Sequence, residues 1–379
     1  MNASKQALAA RWRESIAAER AGDLQTAEAG YRAILQAAPA HAPAMRRLAG
    51  IGARLGDRPA AIRLLDRALT AAPDYWPARL DLADLKQTTG AYEAAAMLYE
   101  TGLNTADKPD PARLSNYAAV LLKLGRFEAA FAITDAHRAT GAVSANVTAY
   151  RAQALWELGR DDDAMALADP TRFVFRLAPE TPDGYGDLAA FNQALIEAFE
   201  THPTLTDRWD ERQRAARGGR VTGDIFADTS DETSPIAKLR AMIQREIGAL
   251  AERLPQTEGH PFLGRRPQPS LQMVGWANLM PGQGVQAAHV HNLGWISGVY
   301  YPKLPEALGD DGDNDDNGDH AGWLGFGRPG YDIPTTRPPA IVYERPKEGA
   351  IVCFPSYLWH WTEPFAGDEE RVSVAFDIA

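Results

Sequence analysis

Residues 281–301 of this chain read PGQGVQAAHVHNLGWISGVYY, and they decide how its second half is interpreted. Two histidines, His289 and His291, stand two positions apart, directly before an apolar run that ends at Tyr301. Side chains two positions apart in an extended segment point to the same face, so both imidazoles are able to bind one metal ion. The stretch therefore predicts a β-domain that carries a metal site.

A third histidine stands further along the chain. Residues 354–360 read FPSYLWH, and the next apolar run, RVSVAF, begins at Arg371. A histidine at the end of a later strand, here His360, completes a set of three ligands on one side of an ion. Such a set leaves coordination positions open on an octahedral iron, but three histidines suit zinc as well.

The sequence around these motifs predicts mainly short strands. Runs rich in Val, Ile, Tyr, Phe and Trp, bounded by Gly and Pro, follow one another without helices between them. This order favours a barrel or a double-sheet jelly roll over a parallel α/β sheet. Two amphipathic patterns upstream predict helices that pack against one sheet. The predicted strands are 270–280, 295–301, 340–343, 350–354 and 371–378, and the predicted helices cover 188–199 and 236–250.

The first half of the chain repeats itself with a period of about 34 residues. Each copy has a glycine that separates two helices and, five residues later, an alanine that lets the helices approach closely. In a stack of such helix pairs, each repeat contacts mainly its neighbours, and the stack presents a concave groove. The repeated pairs are Gly22 and Ala27, Gly56 and Ala61, Gly90 and Ala95, Gly125 and Ala130, and Gly159 and Ala164.

This pattern resembles the tetratricopeptide repeat, in about five copies over residues 8–170. An α-solenoid of another family remains the alternative. The resemblance implies a surface that binds a peptide or protein partner. We therefore predict an N-terminal α-solenoid of helix pairs over residues 1–170, followed by a separate domain over residues 171–379.

The second domain resembles the Fe(II)- and 2-oxoglutarate-dependent dioxygenases, in particular the prolyl-hydroxylase-like 2OG-Fe(II) oxygenases. The likeness rests on H-x-H, S-G-V-Y-Y and F-P-S-x-L-x-H, and it is densest over residues 276–376. It implies a double-stranded β-helix, or jelly roll, with Fe(II) as its metal. It also implies that 2-oxoglutarate and O2 are cosubstrates, and that the reaction is a hydroxylation.

The same resemblance assigns the site residues. It implies that His289, His291 and His360 bind the metal. Arg371 then holds the distal carboxylate of 2-oxoglutarate, because a planar guanidinium binds a carboxylate through two hydrogen bonds. Tyr301 falls where related enzymes place a hydroxyl group on that carboxylate.

Position 291 departs from the family pattern, in which the second ligand is Asp or Glu. Histidine in place of a carboxylate raises the formal charge of the site by one, which favours a dianionic cosubstrate. Three interpretations remain open at this point. All three histidines bind iron; or His289 and His360 bind it and His291 lies beside it; or the site is metal-free or holds zinc.

The sequence thus predicts a non-haem iron dioxygenase that uses 2-oxoglutarate, with repeats that recruit a substrate or partner. The substrate is a peptide, a protein or a small molecule. One rival is a three-histidine iron dioxygenase that does not use 2-oxoglutarate. The other is a non-catalytic scaffold built from the repeats and the jelly roll.

Composition and charge argue against further classes of partner and site. Acidic residues (50) outnumber basic ones (39), and the net charge of −11 argues against a nucleic-acid partner. The single cysteine, Cys353, excludes an intrachain disulfide and a cysteine-only zinc site. No apolar run reaches the roughly 20 residues that span a bilayer. We therefore expect no membrane partner and a cytoplasmic location.

Overall fold

The computed structural model describes residues 3–105, 110–208, 215–265, 272–292, 294–306, 308 and 320–379. The chain divides into two compact units, Met1–Ala142 and Val143–Ala379. The acidic segment 309–319 lies outside the described residues, as do the first two positions of the predicted strand 270–280.

The first unit contains helices that pack in consecutive antiparallel pairs. Aspartates cap the second helix of the first two pairs, because the side chains of Asp23 and Asp57 accept hydrogen bonds from the main-chain N–H groups of Thr26 and Ala60. Gly56 lies between its helices with φ of 90°, a conformation that favours glycine. The helices are α1 (Ala3–Arg20), α2 (Leu24–Ala37), α3 (Ala42–Arg54), α4 (Arg58–Ala71), α5 (Trp76–Thr88), α6 (Tyr92–Thr105), α7 (Pro111–Lys123) and α8 (Phe127–Ala139).

The repeated alanines lie in the interior of this unit. Ala27, Ala61, Ala95 and Ala130 are fully buried, so a larger side chain at these positions would push neighbouring helices apart. Apolar side chains from successive helices fill the space around them, for example around Ala27. The prediction of two-helix repeats in the N-terminal part of the chain is confirmed.

The described residues of the second unit contain five more helices. They are α9 (Ala145–Glu157), α10 (Asp161–Ala168), α11 (Pro170–Phe173), α12 (Leu188–Glu200) and α13 (Pro235–Arg253). None of the helices in the described part of the chain is long and apolar enough to cross a membrane.

The α9–α10 pair continues the repeat pattern in sequence but packs within the second unit. The indole Nε1 of Trp156 donates to the Pro338 carbonyl (3.1 Å), and the Tyr357 hydroxyl donates to the Leu167 carbonyl (2.9 Å). Packing thus divides the chain at Ala142, while the repeat pattern divides it at 170. The extent of the repeats to residue 170 stays a prediction.

The strands in the described part of the second unit form three antiparallel sheets. They are β1 (Phe175–Leu177), β2 (Ala216–Arg217), β3 (Arg220–Val221), β4 (Met273–Met280), β5 (Val285–Gln286), β6 (Ile296–Lys303), β7 (Leu324–Phe326), β8 (Val342–Glu344), β9 (Ile351–Pro355), β10 (His360–Thr362) and β11 (Arg371–Ile378). The six-stranded sheet has the order β1-β9-β6-β11-β4-β3, and smaller sheets have the orders β10-β7-β8 and β2-β5.

This arrangement confirms the predicted fold class, helical repeats followed by an antiparallel β-domain. The sheets are consistent with the jelly roll that the sequence resemblance implies. Of the two helices predicted to pack against a sheet, α12 packs on β6, and its Asn192 accepts a hydrogen bond from the Tyr300 hydroxyl (2.6 Å), while α13 packs on α12. Strand β11 is buried along most of its length and pairs with both β4 and β6.

Candidate metal centre

Three histidines that are distant in sequence converge in the second unit. The main chains of His289 and His360 form a two-way bridge, with N–O distances of 3.0 and 3.1 Å. One potential ligand atom from each of His289, His291 and His360 lies within 4.8 Å of the other two. The Nε2 atoms of His289 and His291 are 3.0 Å apart. The structure therefore brings together the three residues that the sequence selects.

Hydrogen bonds on the other ring nitrogen fix how each imidazole faces this centre. The Nδ1 atom of His289 is 2.8 Å from the Ala287 carbonyl, and that of His360 is 2.9 Å from the Leu358 carbonyl. A carbonyl oxygen accepts hydrogen bonds only, so each Nδ1 carries the proton and donates it. Each Nε2 is left with a free lone pair, which is the tautomer that binds a metal.

The protonation state of the cluster also suits a cation. Burial, together with the nearby His291, lowers the pKa of His289 to about 3. Burial likewise holds the pKa of His360 well below its ordinary value. Both rings are therefore neutral at neutral pH, with lone pairs available for a metal.

The separation of the Nε2 atoms provides a test of fit for a metal ion. Two imidazole nitrogens at 3.0 Å either share a hydrogen bond, if one of them carries a proton, or bind one cation that lies near both. Two ligands that are each about 2.1 Å from an ion, at a right angle, are about 3.0 Å apart. The separation of His289 and His291 therefore fits two ligands of one divalent metal ion, and the potential ligand atom of His360 lies within 4.8 Å of both.

Arg371 is a buried cation without a carboxylate partner among the described residues. Arg371 is 2% exposed, and among the described residues its hydrogen bonds go to the Gly322 carbonyl and the Thr362 hydroxyl, both at 3.3 Å. Its Nε is buried and, within the described chain, has no hydrogen-bond partner. Burial lowers the pKa of Arg371, but a guanidinium stays charged in proteins. An unpaired buried charge is costly, so the position fits an anionic ligand.

Arg371, His291 and His360 share one small cavity. Tyr301 also lines it, and burial raises the pKa of this tyrosine, so its hydroxyl group stays protonated and able to donate. The residues of this cavity that carry polar side chains include His291, Tyr301, His360, Thr362, Arg371 and Ser373. The structure thus places Arg371 and Tyr301 in one enclosed space with two of the histidines.

A second, larger cavity lies against the same histidines. Its volume is about 450 Å³, and His289 and His291 form part of its wall. Trp276, whose ring centre is 5.6 Å from that of His291, and Asn278 also line it. Its size falls within the range of small-molecule pockets. The three histidines are therefore accessible from two sides, through the small cavity and through the large one.

Asp377, which no sequence motif singled out, also contacts the histidine cluster. Asp377 Oδ1 lies 2.5 Å from Nδ1 of His291 and 2.5 Å from the Ser297 hydroxyl. The available signal was the alternation along β11, which puts Asp377 on the same face as Arg371. Asn278 is a further candidate, because both polar atoms of its amide are buried and, in the described chain, have no partner.

Comparison with known protein families agrees with this geometry. The family model that matches this part of the chain is described as "Putative 2OG-Fe(II) oxygenase". Residues 274–377 match the 2OG-Fe(II) oxygenase family. All five predicted site residues fall within that match, and the oxygenase resemblance predicted from the sequence is confirmed. A second model, the tetratricopeptide repeat, matches residues 53–115, which confirms the predicted repeat type there.

Solved structures similar to this chain include tetratricopeptide repeat proteins. MamA AMB-1 is 18% identical, with 43% of this chain and 88% of that chain covered and a TM-score of 0.38. YrrB, described as a TPR protein with an unusual peptide-binding site, is 13% identical, with 44% and 88% covered and a TM-score of 0.39. PilF of Pseudomonas aeruginosa is 15% identical, with 52% and 85% covered and a TM-score of 0.39. No match was found among the curated proteins.

Proposed function

We propose that the protein is an Fe(II)- and 2-oxoglutarate-dependent dioxygenase that hydroxylates a peptide, protein or small-molecule substrate. The observation that carries this proposal is the shared cavity of two histidines and Arg371, a buried guanidinium without a carboxylate partner in the described chain. A metal site alone is compatible with many reactions. A metal site beside an unpaired cation fits a cosubstrate that bears a carboxylate.

The histidines would hold the metal through their Nε2 atoms. His289, His291 and His360 offer three neutral ligands and leave space on the sides of the two cavities. Fe(II) bound there supplies the redox chemistry that couples O2 and the oxidative decarboxylation of 2-oxoglutarate to substrate hydroxylation. The closeness of Nε2 of His291 to that of His289 supports the three-histidine interpretation.

Arg371 and Tyr301 would bind the distal carboxylate of 2-oxoglutarate. The guanidinium provides up to two parallel hydrogen bonds and the full charge, while the tyrosine hydroxyl provides a further donor. Both side chains are buried, so the interaction would be screened little by water. These residues therefore orient the cosubstrate and select dicarboxylates over monocarboxylates.

The larger cavity would receive the group that is oxidised. It borders His289 and His291 but contains neither Arg371 nor Tyr301, so the cosubstrate and the substrate would approach the metal from different sides. We further propose that the tetratricopeptide repeats bind a peptide or protein, either the substrate itself or a partner that delivers it. This role rests on the family match.

Succinate formation tests the proposal. Purified protein is incubated with Fe(II), 2-oxoglutarate and O2, and succinate is measured for the wild type and for His360→Ala. We expect succinate from the wild type and none above background from the variant. Oxidation of a substrate without added 2-oxoglutarate would instead favour the three-histidine dioxygenase. Absence of saturable Fe(II) binding would favour the non-catalytic scaffold.

A further inference from the structure

The three imidazoles are oriented by different means. In His289 and His360, Nδ1 donates to the main-chain carbonyl two residues earlier, at Ala287 and Leu358. These contacts are local, and their acceptors are main-chain groups and not side chains. His291 is oriented differently, because its Nδ1 atom lies 2.5 Å from the carboxylate of Asp377. The residue two positions before His291 is His289. Of the three, only His291 is oriented by a charged group, and it occupies the position where the family pattern has a carboxylate ligand.

The carboxylate itself is held in place by the sheet. Asp377 in β11 lies directly opposite Ser297 in β6. The Ser297 hydroxyl donates to the same Oδ1 atom at 2.5 Å, and the Ser356 hydroxyl lies 2.8 Å from that of Ser297. The strand register thus fixes the aspartate, and the aspartate in turn fixes the ring of His291.

The charge of Asp377 has no other counterpart in the described chain. The Nδ1 atom of His291 is the only basic nitrogen within ion-pair distance of Asp377 among the described residues. The Asp377 side chain is 15% exposed and lines the large cavity. A partly buried carboxylate is stabilised by a nearby positive charge or by several hydrogen-bond donors. A neutral imidazole supplies one hydrogen bond, whereas an imidazole bound to a cation also transmits positive charge to its Nδ1–H group.

From these contacts we propose that Asp377 is a positioning residue of the metal centre and acts through His291. It fixes the Nδ1–H tautomer and the ring orientation of His291. It also supplies, beyond the imidazole, the negative charge that a carboxylate ligand at position 291 would have brought. Ser297 supports Asp377 in this role. The proposal rests on the metal centre of the proposed function.

Binding of Co(II) to the full-length protein tests this role without any need for a substrate. Metal affinity and the visible absorption of bound Co(II) are measured for the wild type, Asp377→Ala, Asp377→Asn and Ser297→Ala. Loss of a carboxylate behind a ligating histidine weakens metal affinity by about 10–100-fold. We expect that loss in Asp377→Ala and a smaller loss in Asp377→Asn, because the amide oxygen still accepts a hydrogen bond. A changed Co(II) spectrum should accompany both.

The matched control is Asp224→Asn. Asp224 lines the same large cavity, but it accepts hydrogen bonds from the main-chain N–H groups of Phe226 and Gly275 and contacts no histidine in the described chain. Its replacement should leave Co(II) affinity at the wild-type value. Thermal unfolding of the metal-free variants shows whether they are folded, and Ser297→Ala carries the test if the Asp377 variants are not.

A second readout follows the tautomer directly. In nitrogen-resolved NMR spectra of histidine side chains, His291 of the metal-free wild type should show a proton on Nδ1. Asp377→Ala should show a mixture of both tautomers. Wild-type Co(II) affinity in both Asp377 variants would overturn the positioning role and leave the metal centre intact. Absence of Co(II) and Fe(II) binding by the wild type would overturn the metal centre as well.

Discussion

Arg371 and Asp377 lie on the same face of strand β11, the first at its beginning and the second next to its end. Six steps along extended chain, at about 3.3 Å per residue, separate them by about 20 Å. Asp377 contacts His291, and Arg371 lines the small cavity beside His291 and His360. One strand thus supplies both the group behind a metal ligand and the cation for the cosubstrate.

Replacement of Arg371 should separate use of 2-oxoglutarate from metal binding. In Arg371→Ala the distal carboxylate would lose its charged partner, and truncation of one member of a buried charge pair costs about 2–5 kcal/mol. We expect the KM for 2-oxoglutarate to rise by at least about ten-fold, while Co(II) still binds. Arg371→Lys keeps the charge without the bidentate geometry, so its KM for 2-oxoglutarate should lie between those of the wild type and Arg371→Ala. A wild-type KM in Arg371→Ala would remove this residue from the cosubstrate site.

Tyr301 and its neighbour Tyr300 form a matched pair for a second test. Tyr301→Phe removes one hydroxyl donor from the small cavity, and a hydrogen bond to a charged group contributes about 1.5–3 kcal/mol. We expect roughly a ten-fold rise in the KM for 2-oxoglutarate. Tyr300→Phe removes a hydroxyl group that donates to Asn192 on α12, so it should lower stability and leave that KM unchanged. Equal KM effects of the two variants would argue against a cosubstrate contact at Tyr301.

Metal ions should stabilise the folded second unit. A ligand that binds only the native state at 100 times its Kd adds about 2.7 kcal/mol to stability. We expect Co(II) to raise the melting temperature of the wild type, and dialysis against a chelator to reverse the increase. The shift should disappear in His289→Ala and His360→Ala. His202→Ala, which changes a histidine outside the cluster, should keep it. If Co(II) raised the melting temperature of His360→Ala as much as that of the wild type, the metal would bind at other residues.

The α9–α10 pair should be required by the β-domain. The ion pair between Asp161 and Arg337 and the hydrogen bond from Tyr357 to Leu167 link these helices to loops of that unit, one of which leads into His360. We expect a chain that begins at Val143 to fold and bind Co(II). A chain that begins at Val174 should unfold at a lower temperature or aggregate, because the helices that cover Tyr357 and Trp359 are gone. Equal melting temperatures of the two chains would support a boundary at 170 instead.

The residues that would bind the metal can be predicted from the sequence, whereas the residues that support them cannot. His289 and His291 were predictable because a spacing of two reports the face of an extended segment, whatever the partner strand. Asp377 was not, because its contact with His291 depends on the register between β11 and β6, which no local pattern encodes. Strands as short as β2 and β5 escaped for a similar reason: only pairing with each other defines them.

For the helical repeats, the sequence predicts the helices themselves but not how the last pair packs. The period of about 34 residues predicts helix pairs from local signals alone, and these pairs are present. The same signals continue through Gly159, so they do not reveal that α9 and α10 pack with the β-domain. That packing depends on contacts with residues 336–338 and 357, which lie far along the chain.

The most direct measurement is an anaerobic crystal structure with Fe(II) and 2-oxoglutarate. The expected result is one iron in contact with Nε2 of His289, His291 and His360, with the distal carboxylate of 2-oxoglutarate on Arg371. An iron bound at other residues, or a cosubstrate carboxylate held away from Arg371, would contradict the proposed function.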